Sequence, residues 1–265
     1  MAITVRRALL AATAVGAVGA ALFAPAAFAG DDHDHGSDGK GSHGKESGLA
    51  AIGLAGGDTL FSFDTANPGA AHEIGTVDGL GSNDESLVGI DFRVQDGLLY
   101  GVGSGGGIYT IDDAAKAKQV GQLTVALDGE FFGVDFNPAA NALRITSDTG
   151  QNLRQPFATF PLAVTAEDTD LTNPAVAPAT GTVPAEGVTA AAYTNNDLDT
   201  GTATTLFDLD TALDRVSIQS PANAGTLAPT GGLPADIGPD AGFDIYSTLT
   251  DGAATANDAF ATVEV

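Results

Sequence analysis

The residues of this sequence best suited to chemistry are aspartates that recur in two short patterns. With Φ for an apolar residue, the pattern Gly-Φ-Asp-Φ contains Asp91, Asp135 and Asp244. The pattern Φ-x-x-Φ-Asp ends at Asp64, Asp112 and Asp210. Carboxylates at equivalent places around an axis could ring a cation, but repetition in every unit is more typical of a structural role in which Asp accepts backbone amides at a turn. We interpret all six as structural. A glycosidase needs two carboxylates in unequal environments, and the repeated patterns do not show such a pair, so we predict no catalytic residue.

A second set of polar residues breaks the repeat. Arg144 stands where the preceding copy has Tyr100, and the residues after it are unusually polar. An arginine in so acidic a chain is expected to bond to a carboxylate or a carbonyl. Two interpretations stay open, a salt-bridge network between repeats and a polar pocket for a small anionic or sugar-like ligand. The candidate ligand-binding residues are Arg144, Asp148, Gln151, Asn152, Arg154, Tyr193 and Asn195.

Two weak patterns suggest metal binding. Asp197 and Asp199 alternate with Asn195 like the start of a calcium loop, but the following glycine comes one place late and Leu206 stands where such a loop needs an acidic residue. A solvated hairpin tip fits these residues better, and calcium is the one cofactor that the pattern leaves open. His33 and His35 lie in an Asp/His cluster that could hold a divalent metal loosely, but a solvated linker is the interpretation that we favour.

Composition excludes several classes of protein. The chain has 265 residues, 43% of them hydrophobic, so it can bury a substantial core. It contains no cysteine, which excludes disulfides, thiolate metal sites and cysteine nucleophiles. Ten basic residues face 34 acidic ones, a net charge of −24 that repels nucleic acid and anionic membrane surfaces. No partner is identified by the sequence, and an envelope component or a glycan is the kind of partner we expect.

The first 47 residues are predicted to be a targeting segment and a linker. Residues 1–29 have a charged start, an apolar stretch and a small-x-small site, as in a secretory signal peptide, with an uncleaved anchor as the alternative. The pair Arg6-Arg7 leaves general and twin-arginine export open. Residues 30–47 are predicted to be a disordered leader and residues 48–265 the folded domain. No membrane span is expected after cleavage, and we expect an extracellular or cell-envelope location.

The folded domain is predicted to be an all-β propeller. Short apolar runs alternate with Gly, Asp, Asn and Pro clusters, and the two aspartate patterns return together every 44–57 residues or so, which is typical of four-stranded propeller blades. Residues 190–193 form a weakened copy of the first pattern, and residues 152–157 one of the second. The first pattern is predicted to be the first strand of each blade and the second pattern the third strand. Residues 165–187, rich in Pro, Thr and Ala, are expected to be an exposed loop. A β-sandwich is the alternative, but it would not repeat at a near-constant period. Five blades with an incomplete last blade are predicted first, and four blades second.

Several longer strings resemble one bacterial family of exported proteins. They are SDTGQNLR, VTAAAYTNN, TTLFDLDTALD and SPANAGTL, together with LVGIDFR and FGVDFNP in the repeats. They resemble domain-of-unknown-function family 4394 over residues 49–265. The resemblance implies a propeller-like exported domain with no assigned activity and no catalytic residues to carry over. Members of that family usually continue past the point matching Val265 with another strand pair and a closing strand, so the resemblance leaves ring closure open.

These observations favour a non-catalytic binding or interaction module over an enzyme. The sequence shows no nucleophile–base pair. The alternative is a hydrolase that acts on a carbohydrate or a lactone with Asp carboxylates. The enzyme interpretation requires two or more carboxylates and Arg144 or Arg154 to converge in one pocket on the axis. It fails if the acidic residues are spread over turns and the arginines are paired between blades.

Overall fold

The computed structural model describes residues 9–11 and 48–264 as a series of short strands. The strands follow one another through Gly, Asp and Asn turns, as the sequence predicts. They are β1 (Leu9–Ala11), β2 (Ala50–Ala55), β3 (Thr59–Asp64), β4 (Asn67–Thr76), β5 (Leu87–Phe92), β6 (Leu99–Gly103), β7 (Gly107–Ile111), β8 (Ala117–Gln122), β9 (Phe132–Asn137), β10 (Ala142–Ser147), β11 (Asn152–Pro156), β12 (Ala166–Glu167), β13 (Thr172–Pro174), β14 (Thr182–Pro184), β15 (Val188–Tyr193), β16 (Leu206–Asp210), β17 (Arg215–Gln219), β18 (Leu227–Gly232), β19 (Ala241–Thr250) and β20 (Ala253–Val263).

Four of the sheets have four strands each and are arranged as propeller blades. We number them blade 1 (β1–β4), blade 2 (β5–β8), blade 3 (β9–β12) and blade 4 (β15–β18). The hairpins β13–β14 and β19–β20 form separate two-stranded sheets. The predicted all-β propeller is therefore confirmed: these residues contain four four-stranded blades and a terminal hairpin that continues the series.

The first strands of successive units surround the axis. β5 contacts β9, β9 contacts β15, and β15 contacts β19. The glycines of the Gly-Φ-Asp-Φ pattern permit this close approach. A Cβ on Gly89 would lie 2.5 Å from Val134 Cγ2, and a Cβ on Gly133 would lie 2.5 Å from the Ala191 nitrogen. Only glycine fits where neighbouring inner strands come this near.

The hydrophobic core lies between the blades. Between blades 2 and 3, Tyr100, Phe136 and Phe157 meet edge to face, with ring centroids 4.9–5.4 Å apart. Buried aliphatic residues, among them Leu143 and Leu153, complete this layer. Since one thin sheet cannot bury both of its faces, each blade depends on the blades beside it.

Two details differ from the expectations drawn from the sequence. The Φ-x-x-Φ-Asp string that ends at Asp210 lies on β16, the second strand of its blade. The strings that end at Asp64 and Asp112 instead lie along β3 and β7, which are third strands, and Asp112 is the first residue after β7. Residues 165–187, expected as an exposed loop, contain β12, the hairpin β13–β14 and the buried side chains of Leu171 and Ala185. Leu171 and Ala185 pack on Val188, because this segment covers the edge of blade 4.

The proposed signal peptide and leader fall almost entirely outside the described residues. Only residues 9–11 of that segment are described. They form β1, which pairs in parallel with β2, whereas the other strand pairs of the blades are antiparallel. The signal peptide, its cleavage and the leader therefore stay predictions. His33 and His35 also lie outside the described residues.

Candidate functional site at the propeller axis

Three aspartates of the Gly-Φ-Asp-Φ pattern converge where the inner strands meet. Asp91 lies on β5, Asp135 on β9 and Asp244 on β19. Each offers a carboxylate oxygen within 4.8 Å of the other two, and all three side chains are buried. The repeat thus places three separated residues side by side, because each occupies the same position on its own inner strand.

Backbone amides of neighbouring strands hold these carboxylates. Asp91 accepts the Phe136 amide at 2.7 Å, and Asp135 accepts the Tyr193 amide at 3.0 Å, so each bonds to the next inner strand. These bonds satisfy amides on the inner edge of the sheet, where no further strand can pair with them. On β15 the equivalent residue is Ala192, which cannot continue the series. The Ile245 amide is instead accepted by Asp244 itself, at 2.7 Å.

Burial gives Asp135 unusual electrostatics. Burial raises the pKa of the Asp135 carboxyl well above its usual value, and the charges of Asp91 and Asp244 raise it further. The hydrogen bond from the Tyr193 amide opposes this shift of the pKa. These effects shift the Asp135 carboxyl towards its neutral form, which can donate one hydrogen bond as well as accept them.

A cavity opens beside the carboxylates. Its volume is about 20 Å³, room for about one water molecule, and its walls come from the four inner strands. The wall residues immediately precede the aspartates along β5, β9 and β19, but the three carboxylates are not among the residues that line the cavity. The lining is mostly apolar and consists of Gly89, Ile90, Phe132, Gly133, Val134, Ala190, Ala191, Ala241, Gly242 and Phe243.

Four of the predicted ligand-binding residues meet between blades 3 and 4, away from this cavity. Arg144 is 2% exposed and donates to Asp168 at 2.8 Å and to Asn152 at 2.7 Å. The Tyr193 hydroxyl accepts a third bond from Arg144, at 3.3 Å. Arg154 donates to the same carboxylate, Asp168, at 3.1 and 3.2 Å. The geometry is that of a network joining two blades, so we assign no ligand contact to it.

The other three predicted ligand-binding residues lie elsewhere. Asp148 accepts the amides of Glu130 and Phe131 in a turn of blade 3. Gln151 bonds the backbone of Ala126 and Asp128. Asn195, with a positive φ of 61°, exchanges hydrogen bonds with Asn257 on β20.

The carboxylates of the proposed calcium loop are engaged by backbone. Asp197 is buried and accepts the amides of Asp199 and Ala254, at 2.8 and 2.7 Å. Asp199 accepts the amide of Gly201 at 2.8 Å. These contacts are typical of a turn, and the bond from Ala254 joins this turn to β20.

The second aspartate pattern caps turns. Asp64 accepts the Ala66 amide at 2.8 Å, Asp112 accepts the amide of Lys116 at 2.9 Å, and Asp210 accepts the amide of Leu213 at 3.1 Å. Asp210 also lies 3.4 Å from the guanidinium of Arg215.

Sequence reasoning missed three members of the Arg144 network. They are Asp168, which takes both guanidinium groups; Asn223, which accepts from Arg144 at 2.8 Å; and Gln219, which donates to Asn152 at 3.2 Å. They lie up to 79 residues from Arg144 in sequence and belong to no repeated pattern. The one indication in the sequence is Arg144 itself, because an arginine in so acidic a chain is expected to have bonding partners.

An enzyme would need converging carboxylates together with Arg144 or Arg154 in one axial pocket, and only the first of these two conditions is met. Three carboxylates converge on the axis, but Arg144 and Arg154 are both paired with Asp168 of blade 3 and do not line the cavity. Within residues 9–11 and 48–264, no helix is long and apolar enough to cross a membrane.

Comparison with known proteins gives distant structural similarity and one family. None of the curated proteins compared with this chain matches it. An auxiliary nutrient binding protein from Bacteroides thetaiotaomicron VPI-5482 is 12% identical, with a TM-score of 0.41, over 82% of this chain and 60% of its own. A similar protein from Bacteroides ovatus ATCC 8483 is also 12% identical, with a TM-score of 0.42, over 65% of this chain and 41% of its own, so the chain spans less than two thirds of either. A gluconolactonase from Xanthomonas campestris is 11% identical, with a TM-score of 0.43, over 82% of this chain and 68% of its own. The profile of the family described as domain of unknown function (DUF4394) matches residues 59–265, and this chain therefore belongs to that family.

Proposed function

We propose that this protein is an exported, non-catalytic binding module whose ligand site is the axial cavity. One observation carries the proposal: a small, mostly apolar cavity opens among four inner strands, and three of these strands continue directly into the clustered, buried carboxylates. Small-molecule sites are usually apolar clefts with a few convergent polar groups. At about 20 Å³, this cavity must widen to admit a ligand larger than water.

The chemistry of the cavity favours a ligand that carries hydroxyl or amino donors. Its walls are mostly apolar, and carboxylates, which accept hydrogen bonds, follow the wall residues along three of the inner strands. Anionic ligands and nucleic acid are disfavoured by the three carboxylates and by the net charge of −24. A sugar, another polyol or an amine therefore fits this site better than the anionic ligand considered for the Arg144 region.

The proposed location outside the cytoplasm rests on residues 1–29, whose pattern is that of a signal peptide. An extracellular or cell-envelope protein meets glycans and soluble nutrients. Both classes carry the hydroxyl donors that the axial carboxylates would accept.

The test is a thermal-shift screen of the purified chain against sugars, polyols and amines, with carboxylic acids of matched size as a counter-screen. We expect a donor-bearing compound to raise the melting temperature. The shift should fall in Phe132→Ala, which removes a wall of the cavity, and in Asp135→Asn. It should persist in Phe160→Ala, because Phe160 is 58% exposed and does not line the cavity. A shift given only by the acids, or one unchanged in Phe132→Ala and Asp135→Asn, would contradict the proposal.

A hydrolase is the second candidate, and one observation favours it. Burial raises the pKa of Asp135 beside two further carboxylates, and a general acid next to an ionised carboxylate is what glycoside hydrolysis needs. Incubating the chain with panels of lactones and aryl glycosides tests this candidate. Turnover that is lost in Asp135→Asn would establish the hydrolase, and binding without turnover would leave the module non-catalytic.

A further inference from the structure

Blades 3 and 4 enclose a second polar cluster, separate from the axial cavity. Asp208 on β16 is fully buried, and neither of its carboxylate oxygens has a hydrogen-bond partner among the described residues. Three further buried oxygens at this interface also lack a partner: Thr146 Oγ1, Ser217 Oγ and Gln219 Oε1. Buried polar atoms are nearly always bonded, so five such atoms in one interface indicate a bound species.

The sheet register places these oxygens together. Asp208 is directly opposite Ala191 on β15 and Ser217 on β17, so all three side chains lie on one face of blade 4. Gln219 lies two residues further along β17, on the same face.

Thr146 approaches this face from blade 3. Its Oγ1 lies 2.7 Å from the position of a Cβ on Gly133, and the same position is 2.5 Å from the Ala191 nitrogen. The Thr146 hydroxyl therefore lies close to the backbone of Ala191, the residue opposite Asp208.

Among the described residues, no cationic side chain is paired with Asp208, whose two carboxylate oxygens have no hydrogen-bond partner. The nearest positive charge is Arg144, which lowers the pKa of Asp208, but burial dominates and raises that pKa. The Arg144 donors are directed to five other acceptors, on Tyr193, Asn152, Leu153, Asp168 and Asn223. Asp210, the other charge that acts on Asp208, is also negative.

We propose that Asp208, Ser217, Thr146 and Gln219 bind a monovalent cation of the size of sodium. The donor set consists entirely of oxygen, which suits a hard cation and not a transition metal. It contains a single carboxylate, whereas calcium sites usually supply several. The nearby Arg144 guanidinium disfavours a second unit of positive charge, because Coulomb repulsion is strong where little water screens it. The site joins strands of two blades, so its occupancy stabilises their interface.

The experiment uses the purified full chain and sodium ions. Sodium binding is followed by ²³Na relaxation, and stability by thermal unfolding in sodium chloride and in choline chloride at equal ionic strength. We expect saturable binding and a higher melting temperature in sodium. Asp208→Asn should lower the sodium affinity at least about tenfold, because it removes the only charged ligand. Asp113→Asn is the matched control, since Asp113 is exposed and belongs to neither site, and it should leave both readouts unchanged.

A second variant covers the case in which Asp208→Asn does not fold. Ser217→Ala removes one neutral ligand and should weaken sodium binding while leaving the fold intact. The proposal is overturned if sodium and choline give the same melting temperature in the native chain. It is also overturned if Asp208→Asn folds and keeps the sodium effect, because sodium would then act at another place in the protein. Asp135→Asn, which alters the axial site, should leave sodium binding unchanged, so this test is independent of the ligand screen.

Discussion

Tyr100 and Arg144 occupy the same place in consecutive blades and build two different interfaces. Each lies directly opposite the aspartate of its inner strand, Asp91 for Tyr100 and Asp135 for Arg144. Tyr100 packs its ring against Phe136 and bonds its hydroxyl to Asp96 at 2.9 Å. Blades 2 and 3 are therefore joined by an aromatic and aliphatic layer.

Arg144 gives blades 3 and 4 a polar interface instead. Its guanidinium reaches Asp168 within blade 3 and Asn223 beside blade 4, and a layer of buried polar residues replaces the apolar one. The comparison teaches that a propeller can join its blades by either kind of contact. The inner-strand frame is fixed by the amide bonds of Asp91 and Asp135, whichever residue stands opposite them.

The largest expected effect is at Arg144. Arg144→Met should cost about 3–5 kcal/mol of unfolding free energy, because it leaves the buried Asp168 carboxylate paired only with the partly exposed Arg154. Arg154→Met, at a side chain that is 32% exposed, should cost no more than about 1 kcal/mol. Urea unfolding of both variants measures the difference. Equal losses would show that Arg144 has no special part in the polar interface.

The apolar interface should respond to lost volume. Leu143→Ala, at a fully buried residue of the layer between blades 2 and 3, should cost about 2–4 kcal/mol by leaving a cavity. Leu198→Ala is the control, since Leu198 is 58% exposed, and it should be nearly neutral. The same urea titration checks both, and a Leu143→Ala variant as stable as the control would refute the assigned packing.

Both interfaces adjoin the axis, and Asp135→Asn tests the axis through the pH dependence of the unfolding free energy. The pKa of Asp135 is raised in the folded protein, so native Asp135 retains a proton that the unfolded chain releases. Its contribution to stability is therefore present below the unfolded pKa and is lost as pH rises towards the folded pKa. Asparagine does not ionise, so the variant should gain stability relative to the native chain as pH rises from about 3.5 to 7.

The measurement for Asp135→Asn is urea unfolding at a series of pH values. The exposed Asp199→Asn is the control and should track the native chain at every pH. A stability difference that does not change with pH would mean that Asp135 ionises normally in the fold.

The smallest expected effect is at the tyrosine of the comparison. Tyr100→Phe keeps the aromatic packing and removes only the bond to Asp96, so it should cost about 1 kcal/mol. A loss close to that of Arg144→Met would mean that the hydroxyl, and not the ring, joins blades 2 and 3.

Much of the fold could be predicted from the sequence because it repeats. The spacing of the Gly-Φ-Asp-Φ strings predicted the inner strands β5, β9, β15 and β19, including the copy without aspartate at residues 190–193. The string at Asp210 was misplaced within its blade, because a Φ-x-x-Φ-Asp pattern shows a strand followed by a turn and does not show its rank in the sheet.

The sites were less predictable, since their members come from different units. The sequence singled out Arg144, Asn152 and Tyr193, but not Asp168 or Asn223, which bond Arg144 from distant segments. Asp208 gave no signal at all. In the sequence it is an ordinary polar residue between Phe207 and Leu209. Only the structure shows that its side chain is buried.

By itself, the sequence determined the repeat, the strand-and-turn alternation and the acidic character of this protein, because these depend on residue types and local spacing. The tertiary structure alone decided which carboxylates share the axis, which arginines are paired and which polar atoms are enclosed between blades. The physical reason is that register and blade packing set the distances between residues far apart in the chain, and those distances decide whether a charge is paired, solvated or buried alone.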